Sequence, residues 1–259
     1  MWLSLASDDQ PGGGPPRRLT KRELYTFDTR GFLVEPAFIS DDECREIASA
    51  LEPRWPASDE PAWIQRINDI ADEITPNLPA RIVAQSGIYD TINQPFRMTE
   101  NYALRQIAGS TRPLHNGRSN VNQSARGRSH RAMWRDHTYH DGLMYCMMVK
   151  ALVYLSDIAA PEDGPLAVVE GSHKANYEYV YSPSEMRAGA GLQDPNTTWV
   201  HCRAGDLVLL NEALTHGAAA KSSPGDRILL AFSFSPSFVS DYVALPKDST
   251  NLSDLGFCE

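Results

Sequence analysis

The feature that most constrains the fold is a series of short, β-type apolar runs that begins after Arg97. The runs are MTENYALRQI, MMVKALVYLS, PLAVVEG, TTWVHC, DLVLLNE and RILLAFSFS, and turn-forming residues separate them. Parallel strands are joined by crossover helices, and no clear helix pattern lies between these runs. The pattern predicts an antiparallel sandwich or barrel over residues 97–237.

Helix signals dominate the region before these runs, residues 19–96. Thr20 is followed three positions later by Glu23, and Ser40 by Glu43, which is the capping-box pattern at a helix start. The segment GFLVEPAFI between them indicates a strand. Apolar residues at helical spacing predict two further helices, at Trp63 to Ile74 and at Pro79 to Ile92.

Composition limits the domain count and the classes of partner. Residues 1–18 include SDDQPGGGPPRR, which is too polar and too rich in Gly and Pro to pack, so we expect a flexible leader followed by one domain over residues 19–259. The formal charge, 24 − 33 = −9, argues against nucleic acid and anionic membranes as partners. The four cysteines are scattered, and no signal peptide or membrane span is evident, so we expect a cytoplasmic protein.

The C-terminal run GDLVLLNEALTHGAAAKSSPGDRILLAFSF carries the first candidate site residues. It contains a strand ending in the pair His216-Gly217, a loop, and a second strand that starts at Arg227, eleven residues after His216. If the two strands pair antiparallel, both side chains can point into one cavity. The site would then hold a metal ligand beside a guanidinium able to bind a carboxylate through two hydrogen bonds.

This run and the upstream segment LVYLSDIAAPEDGPLAVVEGSHKANY together resemble the phytanoyl-CoA dioxygenase family of non-haem Fe(II)/2-oxoglutarate oxygenases, over roughly residues 97–237. The resemblance implies a double-stranded β-helix, the cupin-like jelly roll, preceded by helices. It also implies an oxidoreductase that uses Fe(II), 2-oxoglutarate and O₂. His216 would be the distal iron ligand, and Arg227 would hold the distal carboxylate of 2-oxoglutarate.

The family usually takes its other two iron ligands from a His-x-Asp or His-x-Glu pair, because residues i and i+2 of a strand face the same way. None of the seven histidines has an acidic residue two positions later. His140-Asp141 is a second choice, since neighbouring strand residues face opposite sides. We prefer His115 in TRPLHNGRS, where one branch of the family has a Leu-His-Gly-Gly-like segment, so that Gly117 takes the carboxylate position.

Three functions are compatible with a glycine at that position. The first, which we prefer from the sequence, is a halogenase: Gly117 leaves room for chloride as a cosubstrate, as in Fe(II)/2-oxoglutarate halogenases with His-x-Gly motifs, and an unactivated C–H bond is chlorinated. The second is a hydroxylase of the same family, with water at the position that Gly117 opens. The third is a non-catalytic binding module, against which the retained His216 and Arg227 count.

The class of substrate is predicted from the basic segment Gly117 to Asp136. This segment contains five arginines and one aspartate, so its net charge is 5 − 1 = +4. Such a segment suits a small anionic metabolite, for example a phosphorylated one. A nucleotide is one candidate, a lipid-CoA ester and a carrier-bound amino acid are others. The candidate substrate residues are Arg118, Arg131, Arg135, His137, Tyr139 and Lys174. The candidate cosubstrate residues beside Arg227 are Asn116, Tyr102 and Gln106, which flank the motif or alternate along the preceding strand.

Overall fold

The structure is a computed structural model that describes residues 15–56, 74–115, 137–175 and 179–238. Its helices are α1 (Lys21–Arg30), α2 (Asp41–Leu51), α3 (Leu78–Gln85), α4 (Ile88–Ile92) and α5 (Pro183–Arg187). Its strands are β1 (Phe32–Glu35), β2 (Phe96–Gln106), β3 (Arg112–His115), β4 (His137–His140), β5 (Leu143–Cys146), β6 (Val149–Tyr154), β7 (Leu166–Val169), β8 (Thr197–Val200), β9 (Leu207–Asn211), β10 (Thr215–Ala218) and β11 (Arg227–Pro236).

The strands form two main sheets, and all pairings between the named strands are antiparallel. The larger sheet has the order β1-β9-β6-β11-β2, and the smaller one has the order β3-β10-β7-β8. Strands β4 and β5 form a separate hairpin. The chain is therefore mainly β with N-terminal helices, and its fold is a double-stranded β-helix, as the sequence predicts.

The alternation of side chains along the larger sheet sets the layers of the fold. On β6, Leu152 and Tyr154 pack between the two sheets, against Leu166 and Val168 of β7. Their neighbours Ala151 and Val153 face the other way and pack with the N-terminal helices. Because both faces are covered at the centre of this sheet, β6 and β9 are buried at every position and almost entirely apolar, instead of alternating with polar residues.

The N-terminal helices begin as the sequence predicts but do not all continue as predicted. Capping boxes at Thr20 and Ser40 open α1 and α2. The single helix expected over Pro79 to Ile92 is wrong: two short helices, α3 and α4, are separated at Gly87, which has φ +74°. A left-handed residue ends a right-handed helix, and glycine adopts that conformation at low cost.

Residues 1–14 of the predicted leader and most of the predicted helix at Trp63 to Ile74 lie outside the described residues. The end of the leader contacts the domain. Arg17 Nη1 lies 2.9 Å from Glu35 Oε1, and Arg18 Nε lies 2.7 Å from Asp90 Oδ1. No helix in the described ranges has the length and apolar character needed to cross a membrane.

Candidate active site

Two histidines meet where β3 and β10 pair. His115 and His216 are direct partners in the ladder, and their ring centroids are 4.4 Å apart. Each Nδ1 lies against a carbonyl oxygen, that of Pro113 at 2.9 Å and that of Leu214 at 2.8 Å. A ring that donates from Nδ1 leaves the lone pair of Nε2 for a metal ion, which is the usual arrangement of metal-binding histidines.

Burial keeps both rings in the neutral form that binds metals. Burial is the largest cause that lowers the pKa of His216, to about 4, and it also lowers the pKa of His115 well below its usual value. The Nε2 atom of His115 lies 3.4 Å from Nη2 of Arg112. A guanidinium can only donate, so this Nε2 accepts, as a metal-binding nitrogen must.

Gly217 allows the two strands to approach this closely. A Cβ atom at this position would lie 2.6 Å from the carbonyl oxygen of Arg112 and 2.9 Å from that of Pro113, both backbone atoms. Real Cβ atoms do not approach carbonyl oxygens so closely, so any other residue would push β10 away from β3. The glycine that follows His216 therefore sets the distance between the two histidines.

Arg227, the first residue of β11, is fixed opposite Gln106 of β2. Its Nη1 donates to the Gln106 side chain and to the carbonyl oxygen of Gly164, the latter at 2.7 Å, and the residue is only 6% exposed. Among the described residues its buried Nε–H has no hydrogen-bond partner. A rigid guanidinium with a donor left over is suited to a carboxylate ligand.

A cavity of about 60 Å³ between the sheets connects His216 to Arg227. Tyr102 and Gln106, predicted as cosubstrate residues from strand alternation, both line it. Its other lining residues are mainly aliphatic, and three further cations reach it: Arg105, Arg112 and Lys150. Basic groups on apolar walls fit a small dicarboxylate such as 2-oxoglutarate, because a low-dielectric surround strengthens the attraction.

Sequence reasoning missed two charged residues: Lys150, which lines this cavity, and Glu212, which pairs with it. Lys150 Nζ lies 3.2 Å from Glu212 Oε2 and 3.3 Å from the Tyr102 hydroxyl. Burial is the largest single influence and lowers the pKa of Lys150, but the neighbouring Glu212, Tyr102 and Glu100 together outweigh it, so the pKa of the lysine is raised. The available signal was a lone lysine inside the apolar run MMVKALVYLS, since buried lysines need a partner.

The structure does not bring every predicted residue to the cavity. Lys174 pairs with Asp28 at 2.7 Å, and the buried His137 lies beside Asn211 and Cys146. Tyr139 is 61% exposed.

The second-choice pair, His140-Asp141, is exposed at the β4–β5 turn, where Asp141 has φ +52°, and does not line the cavity. Five predicted residues lie outside the described residues: Asn116, Gly117, Arg118, Arg131 and Arg135. Within the described ranges, no three His, Cys, Asp or Glu side chains converge as a ready metal site.

Comparisons with known proteins agree with this geometry. The family model described as phytanoyl-CoA dioxygenase (PhyH) matches residues 27–229. HygX from Streptomyces hygroscopicus, solved with nickel and 2-oxoglutarate bound, is 38% identical with a TM-score of 0.74, over 87% of this chain and 90% of HygX. The iron-bound form of HygX is also 38% identical, with a TM-score of 0.71 over 87% of this chain and 90% of HygX.

More distant structures share the fold alone. SnoN, a non-haem α-ketoglutarate-dependent epimerase from nogalamycin biosynthesis, is 14% identical with a TM-score of 0.59, over 89% of this chain and 88% of SnoN. A comparison with curated protein sequences finds no significant match. The family match spans most of the chain and includes both histidines and Arg227. The chain therefore belongs to the phytanoyl-CoA dioxygenase (PhyH) family and is an oxidoreductase.

Proposed function

We propose that this protein is an Fe(II)/2-oxoglutarate-dependent oxygenase that hydroxylates an unactivated C–H bond of a small metabolite. The observation that carries the proposal is the cavity that connects His216, whose ring packs beside that of His115, to the buried guanidinium of Arg227. When bound, iron and 2-oxoglutarate together with O₂ supply the oxidant for the C–H bond, and 2-oxoglutarate leaves as succinate and CO₂.

The protein's own residues bind and orient these groups. His115 and His216 hold the iron through their Nε2 atoms. Arg227, fixed by Gln106 and Gly164, binds the distal carboxylate of 2-oxoglutarate and thereby directs its other end toward the histidines. The aliphatic walls exclude water from the space between the two ends.

Two classes of substrate are candidates, one from a solved relative and one from the sequence. HygX has been solved with hygromycin B, nickel and 2-oxoglutarate bound, at 38% identity to this chain, so hygromycin B is the first compound to test. The basic segment over residues 117–136 supports the alternative of a small anionic metabolite such as a nucleotide. Both classes belong in the substrate panel.

Halogenation is the second candidate function, and the sequence observation that favours it is Gly117 two positions after His115. A glycine there supplies no carboxylate and adds no negative charge that would repel chloride. Chlorination and hydroxylation share the metal, the cosubstrate and the C–H bond. They differ in the group that replaces hydrogen, so one product analysis separates them.

The test is an anaerobic reconstitution with Fe(II) and 2-oxoglutarate, followed by O₂ and the substrate panel with and without chloride. We expect succinate release and a product that has gained one oxygen atom in both conditions. A product with chlorine in place of hydrogen would favour halogenation. If succinate release from the wild type does not exceed that from Arg227→Met with any compound, and no divalent metal binds, the proposed function is wrong.

A further inference from the structure

Gly117 cannot supply a carboxylate, but a buried carboxylate, that of Glu212, lies close to His216. Glu212 lies in the turn between β9 and β10, four residues before His216, and is only 2% exposed. Its Oε2 atom lies 3.9 Å from Nε2 of His216. Since the Nδ1 of His216 faces a carbonyl oxygen, its Nε2 has a lone pair, and two acceptor atoms face each other across this distance.

The distance between Glu212 Oε2 and His216 Nε2 matches the separation of two atoms that bind the same metal ion. Nitrogen and oxygen ligands bind such ions at about 2.1 Å, so two ligand atoms lie about 3 Å apart at right angles and about 4.2 Å apart across the ion. The separation of 3.9 Å between Glu212 and His216 falls inside that range. A hydrogen bond is excluded at this distance. An ion between them can therefore contact both atoms after a rotation of the Glu212 side chain.

The surroundings of Glu212 are those of a metal-binding carboxylate. Lys150 Nζ is 3.2 Å from Oε2, and the Tyr102 hydroxyl holds the lysine in turn at 3.3 Å. Carboxylates that bind metals are regularly hydrogen-bonded by a second group that fixes their orientation. Without a partner such as Lys150, burying the charged carboxylate of Glu212 this deeply would destabilise the folded protein.

Resting on the function proposed above, we propose that Glu212 is the carboxylate ligand of the iron and completes a two-histidine, one-carboxylate site with His115 and His216. Because no three such side chains yet converge among the described residues, Glu212 rotates about its side-chain bonds toward the ion, and His115 exchanges Arg112 for the metal. The position that a halogenase keeps for chloride is then occupied by Glu212. The site therefore favours hydroxylation despite Gly117.

The first test measures metal binding, not turnover. Full-length protein is titrated anaerobically with Co(II), without 2-oxoglutarate, and the visible absorption of the bound ion is followed. We expect Glu212→Gln to weaken binding by about 100-fold or more, which exceeds the loss of about 10-fold expected for Lys150→Met, whose side chain only positions the carboxylate. Glu170→Gln, which removes an exposed carboxylate paired with Arg30, is the matched control and keeps wild-type affinity.

Removing Glu212 alone leaves Lys150 buried without its partner, so a second variant protects the test against misfolding. The double variant Glu212→Leu/Lys150→Met replaces the ion pair by apolar side chains of similar volume, which folded proteins commonly tolerate. We expect it to unfold near the wild-type temperature and to show the same loss of Co(II) affinity. Wild-type affinity and an unchanged spectrum in the folded double variant would overturn the inference.

Chloride provides an independent readout of the same position. We expect chloride to leave the Co(II) spectrum of the wild type unchanged and to alter that of Glu212→Ala, because a ligand position is then open. A wild-type spectrum that responds to chloride as strongly as the variant's would also overturn the role of Glu212. A different result would contradict the proposed function itself: the wild type would bind no Co(II), or would bind it no more tightly than His115→Ala does.

Discussion

The Nη1 atom of Arg227 lies 2.7 Å from the carbonyl oxygen of Gly164, so the turn before β7 fixes the guanidinium from behind. The same nitrogen donates to Gln106 on the other side. These contacts use one end of the guanidinium and leave the Nε–H without a partner among the described residues. The arginine is therefore oriented before any ligand arrives.

Replacing Arg227 by lysine keeps the charge and removes the planar pair of donors. We expect the affinity for 2-oxoglutarate to fall about 30-fold, which corresponds to the loss of one charge-assisted hydrogen bond of about 2 kcal/mol. The measurement is the dissociation constant of 2-oxoglutarate with metal bound and O₂ absent. Arg30→Lys, at an exposed arginine that binds Glu170 through two nitrogens, is the control and leaves that constant unchanged. Equal affinities in Arg227→Lys and the wild type would contradict the assignment.

His115→Ala and His216→Ala each remove one proposed metal-binding nitrogen. We expect either change to weaken Ni(II) binding by about 100-fold or more, since loss of a ligand costs more than loss of a group that only orients one. Isothermal titration calorimetry measures this directly. His201→Ala is the control, because that histidine is exposed and its Nδ1 lies 3.2 Å from the carbonyl oxygen of Ile158, on another strand connection. If His201→Ala lost as much affinity, the site would be misplaced.

Gly217→Ala separates the effect of strand spacing from the effect of side-chain chemistry. The added methyl group meets the backbone of Arg112 and Pro113, so we expect a loss of about 2 kcal/mol in the free energy of unfolding and weaker Ni(II) binding. Gly142→Ala is the control. At Gly142 a Cβ atom meets no atom of the described residues within 4 Å and the unfavourable feature is the φ of +79°, so stability falls by about 1 kcal/mol and metal affinity stays unchanged.

The buried His173 makes stability depend on pH. Burial, and then the charge of His137, lower its pKa from the usual 6.5 to about 4, while Asp28 and Lys174 are the other charged groups that face it. Between these two values the unfolded chain binds a proton that the folded chain does not, so the free energy of unfolding falls as pH drops from 6.5 to 4.

The full contribution of His173 is roughly 3 kcal/mol. Urea denaturation at pH 7 and pH 5 should therefore show a smaller pH effect in His173→Phe than in the wild type. Identical pH effects in the two proteins would mean that this histidine is not buried in the neutral form. The comparison between proteins removes the contributions of the other buried histidines, which both share.

The sequence pattern predicted the parts of the site that depend on strand periodicity. Tyr102 and Gln106 line the cavity because residues i and i+4 of a strand share a face, a rule that needs no tertiary information. The pairing of His115 with His216 joins residues about a hundred positions apart. Only the family resemblance, not the local pattern, pointed to that pairing.

Lys150 and Glu212 were missed for a physical reason. Each lies in or beside an apolar strand, where a single charge has little weight in a periodicity count. The significance of each depends on the other, because the pair forms in the core only when β6, which carries Lys150, lies beside β9, whose last residue directly precedes Glu212. The break at Gly87 was missed similarly, since helical spacing continues across it.

The contact between the end of α1 and the turn that carries Glu212 limits how far the protein can be shortened. The backbone N–H of Asn211 donates to the carbonyl oxygen of Gly31 at 2.9 Å, and Nε2 of His173 lies 2.9 Å from the carbonyl oxygen of Asp28. A fragment that starts at β2 keeps the long strands but loses the backbone contact with Gly31 that supports this turn. A fragment that keeps both contacts therefore has to include residues 28–31, at the end of the first helix and well before the first long strand.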